Sequence, residues 1–260
     1  MARDDRPTRS DAAPSARIDE LGDALATALG GNLRCLAVYG SAADAAASAP
    51  APEINLAIVL ERVGFADLRL IGATLAQGAK RGLRIATPLV ITPGFLTRAR
   101  DSFPLELDDL RHRHRILAGS DLLSAIRVGP ARVREQAERE ARGRLLRLRA
   151  LAMHRPEDAA LRDELASLVS TFGVIERALL ADDPAVGEAH GEALFRAVAA
   201  REGLRLPALE AICRMRAATA RWPAGVELDE LLAAALDEVE ALVAWVDAHE
   251  HGARPSARES

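Results

Sequence analysis

The residues best suited to chemistry lie in two short runs in the first quarter of the chain. Val38-Tyr39-Gly40-Ser41 ends one apolar run, and after eleven residues Glu53-Ile54-Asn55-Leu56 opens the next. A glycine followed by a serine allows close backbone approach to a phosphate and adds a hydroxyl. Side chains two residues apart on a strand point to the same face, so oxygens at positions 53 and 55 could hold one Mg²⁺ ion together. The two runs therefore indicate a phosphate and metal site.

This pattern resembles the nucleotidyltransferase superfamily, which includes DNA polymerase beta, aminoglycoside nucleotidyltransferases and the small nucleotidyltransferase antitoxins. Its members carry a strand that ends in Gly-Ser or Gly-Gly, a gap of about a dozen residues, and Asp-hydrophobic-Asp on the next strand. The resemblance covers about residues 20–125, and Phe103–Asp121 is similar to linker sequence in uncharacterised members. It implies an α/β domain that transfers a nucleoside monophosphate from a triphosphate with the help of Mg²⁺.

The acidic residues of that pattern are incomplete in this chain. The first ligand position holds Glu53, the second holds the neutral Asn55, and the third has no obvious occupant. Between residues 61 and 101 the only acidic residue is Asp67, which we place on a helix, and residues 42–52 contain no arginine or lysine. About three negative charges are typical of such a site, and the loss of two should weaken Mg²⁺ binding by several kcal/mol.

The leading expectation is therefore a catalytically degenerate member of the superfamily. It would act as a nucleotide-binding, regulatory or interaction module, with no assigned catalytic residue and with Glu53 as a weak metal candidate. Gly40 and Ser41 would contact the nucleotide, and Glu53 and Asn55 would be the remnant of the active site. Arginines of the first long helix after residue 130 would face this pocket.

Three alternatives stay open at this point. An active nucleotidyltransferase that uses a nucleoside triphosphate and Mg²⁺ to modify a small molecule or a protein would need a further acid, Glu106 or Asp101, beside Glu53. A toxin–antitoxin-like pairing component would carry an exposed apolar patch on its helical domain. In the third alternative, Gly40-Ser41 is an ordinary turn of an unrelated α/β domain.

The elements that must position these residues can be predicted from apolar spacing. Ile18, Leu21, Leu25 and Leu29 have helical spacing, and Gly30-Gly31 ends that helix. Short apolar runs predict buried strands at 33–39 and 54–60, and a helix follows over 65–82. A third extended run, 83–92, contains Pro88, which cannot donate to a sheet ladder, so this strand lies at an edge or is interrupted.

The second half of the chain is predicted to be helical. Helical periodicity extends over Pro130–Met153, Pro156–Ala181, Gly187–Arg201, Pro207–Ala218 and Glu227–His249. The predicted fold class is α+β, a mixed α/β domain at 17–126 followed by an all-helical bundle at 127–250. Polar tails at 1–16 and 251–260 are expected to be disordered.

Charge and arginine content suggest which partners to expect. The formal net charge is −4, which argues against a protein that coats nucleic acid. Arg111–Arg115 and the arginines of the helix after residue 130 are interpreted as solvated, locally paired segments, with pairs such as Glu135–Arg139 and Glu138–Arg142. We expect a nucleotide as ligand and a protein partner through the helical domain, and no nucleic acid or membrane.

Cysteines and apolar runs bear on the compartment. Cys35 and Cys213 lie far apart in apolar surroundings and are expected to be reduced core residues. No apolar run approaches the ~20 residues that span a bilayer, and Met1–Ala16 lacks the apolar region of a signal peptide. We expect a cytoplasmic protein.

Overall fold

The fold is given by a computed structural model, which describes residues 14–43, 54–99, 102–181, 183–187, 189–217 and 219–248. The chain divides into two compact units that are interleaved in sequence. The described parts of Met1–Leu96 and of Arg113–Leu123 form the first unit, here called the sheet unit. Thr97–His112 and the described residues from Ser124 onwards form the second, here called the helical unit.

The sheet unit contains four strands and two long helices. In chain order these are α1 (Pro14–Leu29), β1 (Leu33–Tyr39), β2 (Asn55–Leu60), α2 (Phe65–Lys80), β3 (Leu89–Ile91) and β4 (His114–Gly119). A short helix, α3 (Pro93–Arg98), follows β3. The sheet order is β3-β2-β1-β4, with β1 antiparallel to both β2 and β4, and β2 parallel to β3. The predicted mixed α/β fold is confirmed.

One face of the sheet packs on the two helices. Leu36 and Val38 of β1 pair with Ile58 and Leu56 of β2 and share a core with both helices. The α1 positions in this core are those predicted from their helical spacing: Ile18, Leu21, Leu25 and Leu29. Burial of each such side chain contributes roughly 1.5–3 kcal/mol. Alternation then directs the odd-numbered residues of β1, up to Tyr39, to the opposite face of the sheet.

Strand β4 was not predicted. Its residues fall in the segment 103–121 that resembled a linker, yet they pair with β1 from Cys35↔Gly119 to Tyr39↔His114. All residues of the strand except the last are half-buried, so its sequence lacks the continuous apolar run that identifies a fully buried strand. Its end needs a glycine, because Gly119 has φ +80 and a Cβ there would lie 2.3 Å from the carbonyl oxygen of Arg34.

The third extended run behaves as its proline predicts. Only Leu89–Ile91 pairs along β2, at the edge of the sheet, while Ile85 makes an isolated bridge to Ile54. Pro88 separates the bridge from the strand. Helix α1 begins at Pro14, four residues before the predicted start, and a proline suits a first helical turn. The remaining residues of the expected tails, 1–13 and 251–260, lie outside the described residues.

The helical unit packs around an apolar core of its own. Its helices are α4 (Pro104–His112), α5 (Pro130–Met153), α6 (Asp158–Leu179), α7 (Pro184–Gly187), α8 (Glu192–Glu202), α9 (Pro207–Arg216) and α10 (Val226–Ala248). Helix α5 has the predicted bounds. The helix predicted over Gly187–Arg201 is α8, which begins only at Glu192 because Gly191 adopts φ 52 and ψ −126 immediately before it. Gly187 instead ends the short helix α7. Both cysteines are free and buried, as predicted.

Helix α4 belongs to the helical unit, although the sheet resumes after it. Its Leu105 backbone N–H donates to Oε1 of Gln136 at 2.8 Å, and its Asp109 accepts from Arg177 at 3.0 Å. The predicted boundary between two domains, at residues 126 and 127, stays a prediction. In the part of the chain that is described, no helix combines the length and apolar character needed to cross a membrane.

Candidate functional site

The ends of three strands bring polar side chains into one row. Tyr39, the last residue of β1, lies opposite Asn55 of β2 and opposite His114 of β4. Directly opposed residues of antiparallel strands project to the same face. Tyr39 and the buried Ala37 and Cys35 alternate with residues that face the helices, so the row lies on the sheet face away from α1 and α2. The row Asn55–Tyr39–His114 is the candidate site.

The predicted Gly-Ser turn adjoins this row. Gly40–Ala42 form a 3₁₀ turn directly after β1, and Gly40 has φ +70, a conformation that favours glycine. The Gly40 backbone N–H donates to the carbonyl oxygen of Arg113 at 3.2 Å. A Cβ at Gly40 would lie 3.4 Å from Nδ2 of Asn55. The structure thus brings two of the four predicted site residues, Gly40 and Asn55, into contact range.

The other two predicted residues are placed only in part. Ser41 continues the turn through its backbone. Glu53 lies outside the described residues, two positions before Asn55. The predicted remnant site is therefore structurally defined by Gly40, the Ser41 backbone and Asn55.

His114 brings a charged partner to the site. Its Nε2 atom lies 3.2 Å from Oδ1 of Asp121, and its side chain is only 8% exposed. Oδ1 of Asp121 also accepts from the backbone N–H of Leu123 at 2.9 Å, which orients the carboxylate. From the sequence, His114 was interpreted only as part of the solvated, locally paired segment Arg111–Arg115. His112 instead ends α4 in the helical unit, where Nδ1 contacts the Asp108 carbonyl at 2.9 Å.

Tyr39 and His114 were missed as site residues, and their signals differ. Tyr39 is the one tyrosine of the chain and immediately precedes Gly40-Ser41, so its position was visible in the sequence. His114 could be found only by recognising β4 and its register with β1. Asp121 could be recognised only after His114 was placed, because the contact between the two side chains is what brings Asp121 to the site.

The segment after β4 covers part of the same sheet face. Cys35 projects to the face that carries Tyr39, and it is fully buried. Burial raises the pKa of the Cys35 thiol, a backbone hydrogen bond with Leu122 lowers it, and the charge of Asp121 raises it again. The thiol is therefore neutral and packs as a small apolar side chain.

The described donors of this site do not suit a pair of Mg²⁺ ions. Mg²⁺ prefers carboxylate and water oxygens in octahedral geometry, whereas the row offers an amide, a phenol and an imidazole next to Asp121. The third extended run passes beside Asn55. The Ala86 backbone N–H donates to the Ile54 carbonyl oxygen at 3.0 Å, and Leu89 pairs with Ala57. Residues 86–89 contain no carboxylate. Among the described residues, no group of three or more His, Cys, Asp or Glu side chains is arranged for a metal.

Two acids, Glu106 and Asp101, were suggested for an active enzyme. Glu106 lies on α4 in the helical unit, where both its oxygens accept hydrogen bonds from Nε2 of Gln136 at 2.9 and 3.0 Å. Asp101 lies outside the described residues. Asp67 is on the first turn of α2 and accepts from the Gly64 backbone N–H at 2.9 Å. Asp67 thus caps a helix, as its predicted helical position suggested.

The arginines of α5 pair largely within the helical unit. Arg142 contacts Glu138 one turn away, the pair predicted from the sequence, and also Asp247 of α10 at 3.0 Å. Glu135, predicted to pair with Arg139, contacts Arg132 at 2.9 Å. Other arginines bridge to neighbouring helices, including Arg147–Glu164 and Arg149–Glu240. These contacts support the interpretation of a solvated, paired helix face.

Comparison with solved structures identifies a similar fold. The structure of spectinomycin adenyltransferase AAD(9) from Enterococcus faecialis, determined with ATP and spectinomycin, matches with a TM-score of 0.55 and 11% sequence identity. The match covers 86% of this chain and 98% of that chain. At this identity the likeness shows the fold alone, which this chain shares with that adenyltransferase. No protein-family model and no curated protein sequence matches the chain.

Proposed function

We propose that this protein is a nucleotide-binding member of the nucleotidyltransferase fold that has lost metal-dependent transfer and acts as a regulatory or interaction module. The observation that carries the proposal is Asn55 beside Gly40. A neutral amide stands where the resemblance implies the second metal-binding carboxylate, next to the turn expected to meet the phosphates.

The chemistry of the row supports binding without transfer. Transfer from a nucleoside triphosphate needs divalent cations to neutralise the phosphates and to align the attacking and leaving oxygens. An amide such as Asn55 can donate hydrogen bonds to phosphate oxygens, but it supplies no charge to hold a cation. The site is thus suited to occupancy by a nucleotide, with affinity that does not depend on Mg²⁺.

The fold and the related structure support a nucleotide as the ligand. The adenyltransferase of similar fold was solved with ATP, and the turn after β1 in this chain is in the position that the Gly-Ser resemblance assigns to phosphate contact. Because no turnover is proposed, the nucleotide would act by stabilising one form of the protein. Binding to the native state alone stabilises it by about 2.7 kcal/mol at a ligand concentration 100 times Kd.

An interaction role has separate support in the helical unit. Leu146 and Met153 lie seven residues apart on α5, on one stripe of the helix, and are 63% and 72% exposed. Exposed large apolar side chains on one stripe are typical of contact surfaces when they form a continuous patch. The stripe therefore supports a protein partner bound through this unit.

Calorimetric titration of the full chain with ATP, GTP, CTP and UTP tests the proposal, each with Mg²⁺ and with EDTA. We expect saturable binding of at least one nucleotide, with a Kd that changes by less than about threefold between the two conditions. Asn55→Ala should weaken this binding, while Gln77→Ala, an amide removed from the opposite side of the sheet, should not. Tight binding that requires Mg²⁺, or transfer of labelled nucleotide to any acceptor, would contradict the proposal, as would the absence of binding.

A further inference from the structure

A groove separates α1 from α2 on the side of the sheet opposite the candidate site. Its cavity volume is about 130 Å³. Positions 17, 20, 21 and 24 of α1 line one wall. Positions 74, 77 and 78 of α2, with position 81 directly after its end, line the other, and both sets have the i, i+3, i+4, i+7 spacing of a single helix face. The groove thus follows one face of each helix and is closed below by the sheet core.

The floor of this groove is apolar and rigid. Leu21 belongs to the core of the sheet unit, and Leu83 packs against that core. Gly78 lets α2 approach closely, since a Cβ there would lie 3.0 Å from Cδ1 of Ile85 and 3.3 Å from Cδ1 of Leu21. The floor of the groove is therefore formed by packed apolar side chains, and Gly78 adds no side chain of its own to it.

The rim of the groove is cationic. The Arg17 guanidinium donates to the Arg81 carbonyl oxygen, which anchors it across the groove at the negatively polarised C-terminal end of α2. The side chains of Gln77 and Arg81 make no hydrogen bond or ion pair with other described residues. Glu20 is the one acid among the lining residues, so two cations face one anion.

We propose that this groove binds a small organic carboxylate whose apolar body is about the size of a benzene ring. A dry cavity of about 150 Å³ is known to accommodate benzene, so the volume fits such a body. A guanidinium matches the planar geometry of a carboxylate through two parallel hydrogen bonds, and the apolar body would contact Leu21 and Leu83. This inference is independent of the proposed nucleotide site, which lies on the other face of the sheet.

Fluorine NMR of the full chain with 4-fluorobenzoate tests the proposal. We expect saturable binding with a Kd below about 1 mM. Arg81→Gln should weaken it at least about tenfold, because it removes the carboxylate partner. The matched control is Arg69→Gln, the same change on the same helix but away from the groove, and it should leave the Kd unchanged. Ala24→Leu keeps every charge, fills the groove from α1, and should also weaken binding.

Three further compounds, 4-fluorobenzamide, inorganic phosphate and ATP, distinguish recognition of the carboxylate from other sources of affinity. The neutral 4-fluorobenzamide should bind at least about tenfold more weakly than the benzoate, since it lacks the charge that two arginines recognise. Equal binding of both compounds, displacement by inorganic phosphate at equal concentration, or displacement by ATP would overturn the proposal. So would equal affinities of the Arg81→Gln and Arg69→Gln proteins, or no saturation. Thermal unfolding midpoints of all variants establish that each is folded.

Discussion

Nδ2 of Asn55 lies close enough to the turn after β1 that a Cβ at Gly40 would stand 3.4 Å from it. The turn expected to meet phosphates is thus a neighbour of position 55. This is the second ligand position of the resemblance, and here it holds an amide. In the proposed function, these two residues keep the spatial arrangement that the resemblance implies, while the charge at position 55 is lost. This separation of geometry from charge can be tested by restoring the charge alone.

Asn55→Asp should create Mg²⁺-dependent nucleotide binding. The change restores, together with Glu53, the spacing of two acids that the resemblance associates with Mg²⁺ binding. We expect the nucleotide Kd to fall at least about tenfold when Mg²⁺ is added, measured by calorimetry. Gln77→Glu is the matched control, because it adds the same charge on the other side of the sheet. Equal Mg²⁺ responses of the two variants would rule out a retained metal geometry.

Gly119→Ala should disrupt the pairing of β4 with β1 at the end of the strand. A Cβ at this position would lie 2.3 Å from the Arg34 carbonyl oxygen, and the backbone has φ +80. Both effects oppose the turn that lets Ser120 donate to the same oxygen at 2.9 Å, and we expect a loss of about 3 kcal/mol or more in the free energy of unfolding. Urea denaturation measures it. Gly31→Ala, where the added Cβ meets no atom within 4 Å, should change stability by less than about 1 kcal/mol.

Glu238 should stabilise α9 by capping it from α10. Its two carboxylate oxygens accept from the backbone N–H groups of Ala208 and Leu209 at 2.7 and 2.9 Å, in the first turn of α9. Glu238→Ala leaves both buried donors without this partner, so we expect a loss of about 1–3 kcal/mol in chemical denaturation. Glu230→Ala removes an exposed carboxylate from the same helix and should have an effect within about 0.5 kcal/mol. Similar losses for both variants would show that the cap contributes nothing.

Glu176 should make the helical unit less stable as the pH rises. Its side chain is fully buried on α6, neither oxygen has a hydrogen-bond partner among the described residues, and burial raises its pKa well above the usual 4.5. Between pH 4.5 and the raised pKa, the folded form keeps a proton that the unfolded form has lost. The free energy of unfolding therefore falls by about 1.4 kcal/mol per pH unit over that window from this residue.

The difference between wild type and Glu176→Leu isolates this contribution. We expect the leucine variant to gain stability over wild type progressively as the pH increases above about 4.5, because leucine has no proton to lose. Denaturation at several pH values measures the difference. A gap between the two proteins that does not vary with pH would show that Glu176 is ionised in the folded state.

Local patterns were sufficient to predict most elements from the sequence. Strand β1, helix α5 and the interrupted edge strand at Pro88 depend on residues close together in the chain, through apolar spacing, proline geometry and glycine conformation. The neighbouring Gly40 and Asn55 were predictable for the same reason, because each lies at the end of a recognisable strand. The missing charge at position 55 was visible in the sequence as well.

Strand β4 and the residues it brings to the site depended on tertiary structure. His114 is 75 positions from Tyr39, and only the register between β1 and β4 places the two side by side. The burial of Glu176 at a position of α6 that faces the core likewise became visible only in the tertiary structure. Helical and strand periodicity is a property of neighbouring residues, whereas pairing between distant strands and burial of a single charge depend on the whole packed chain.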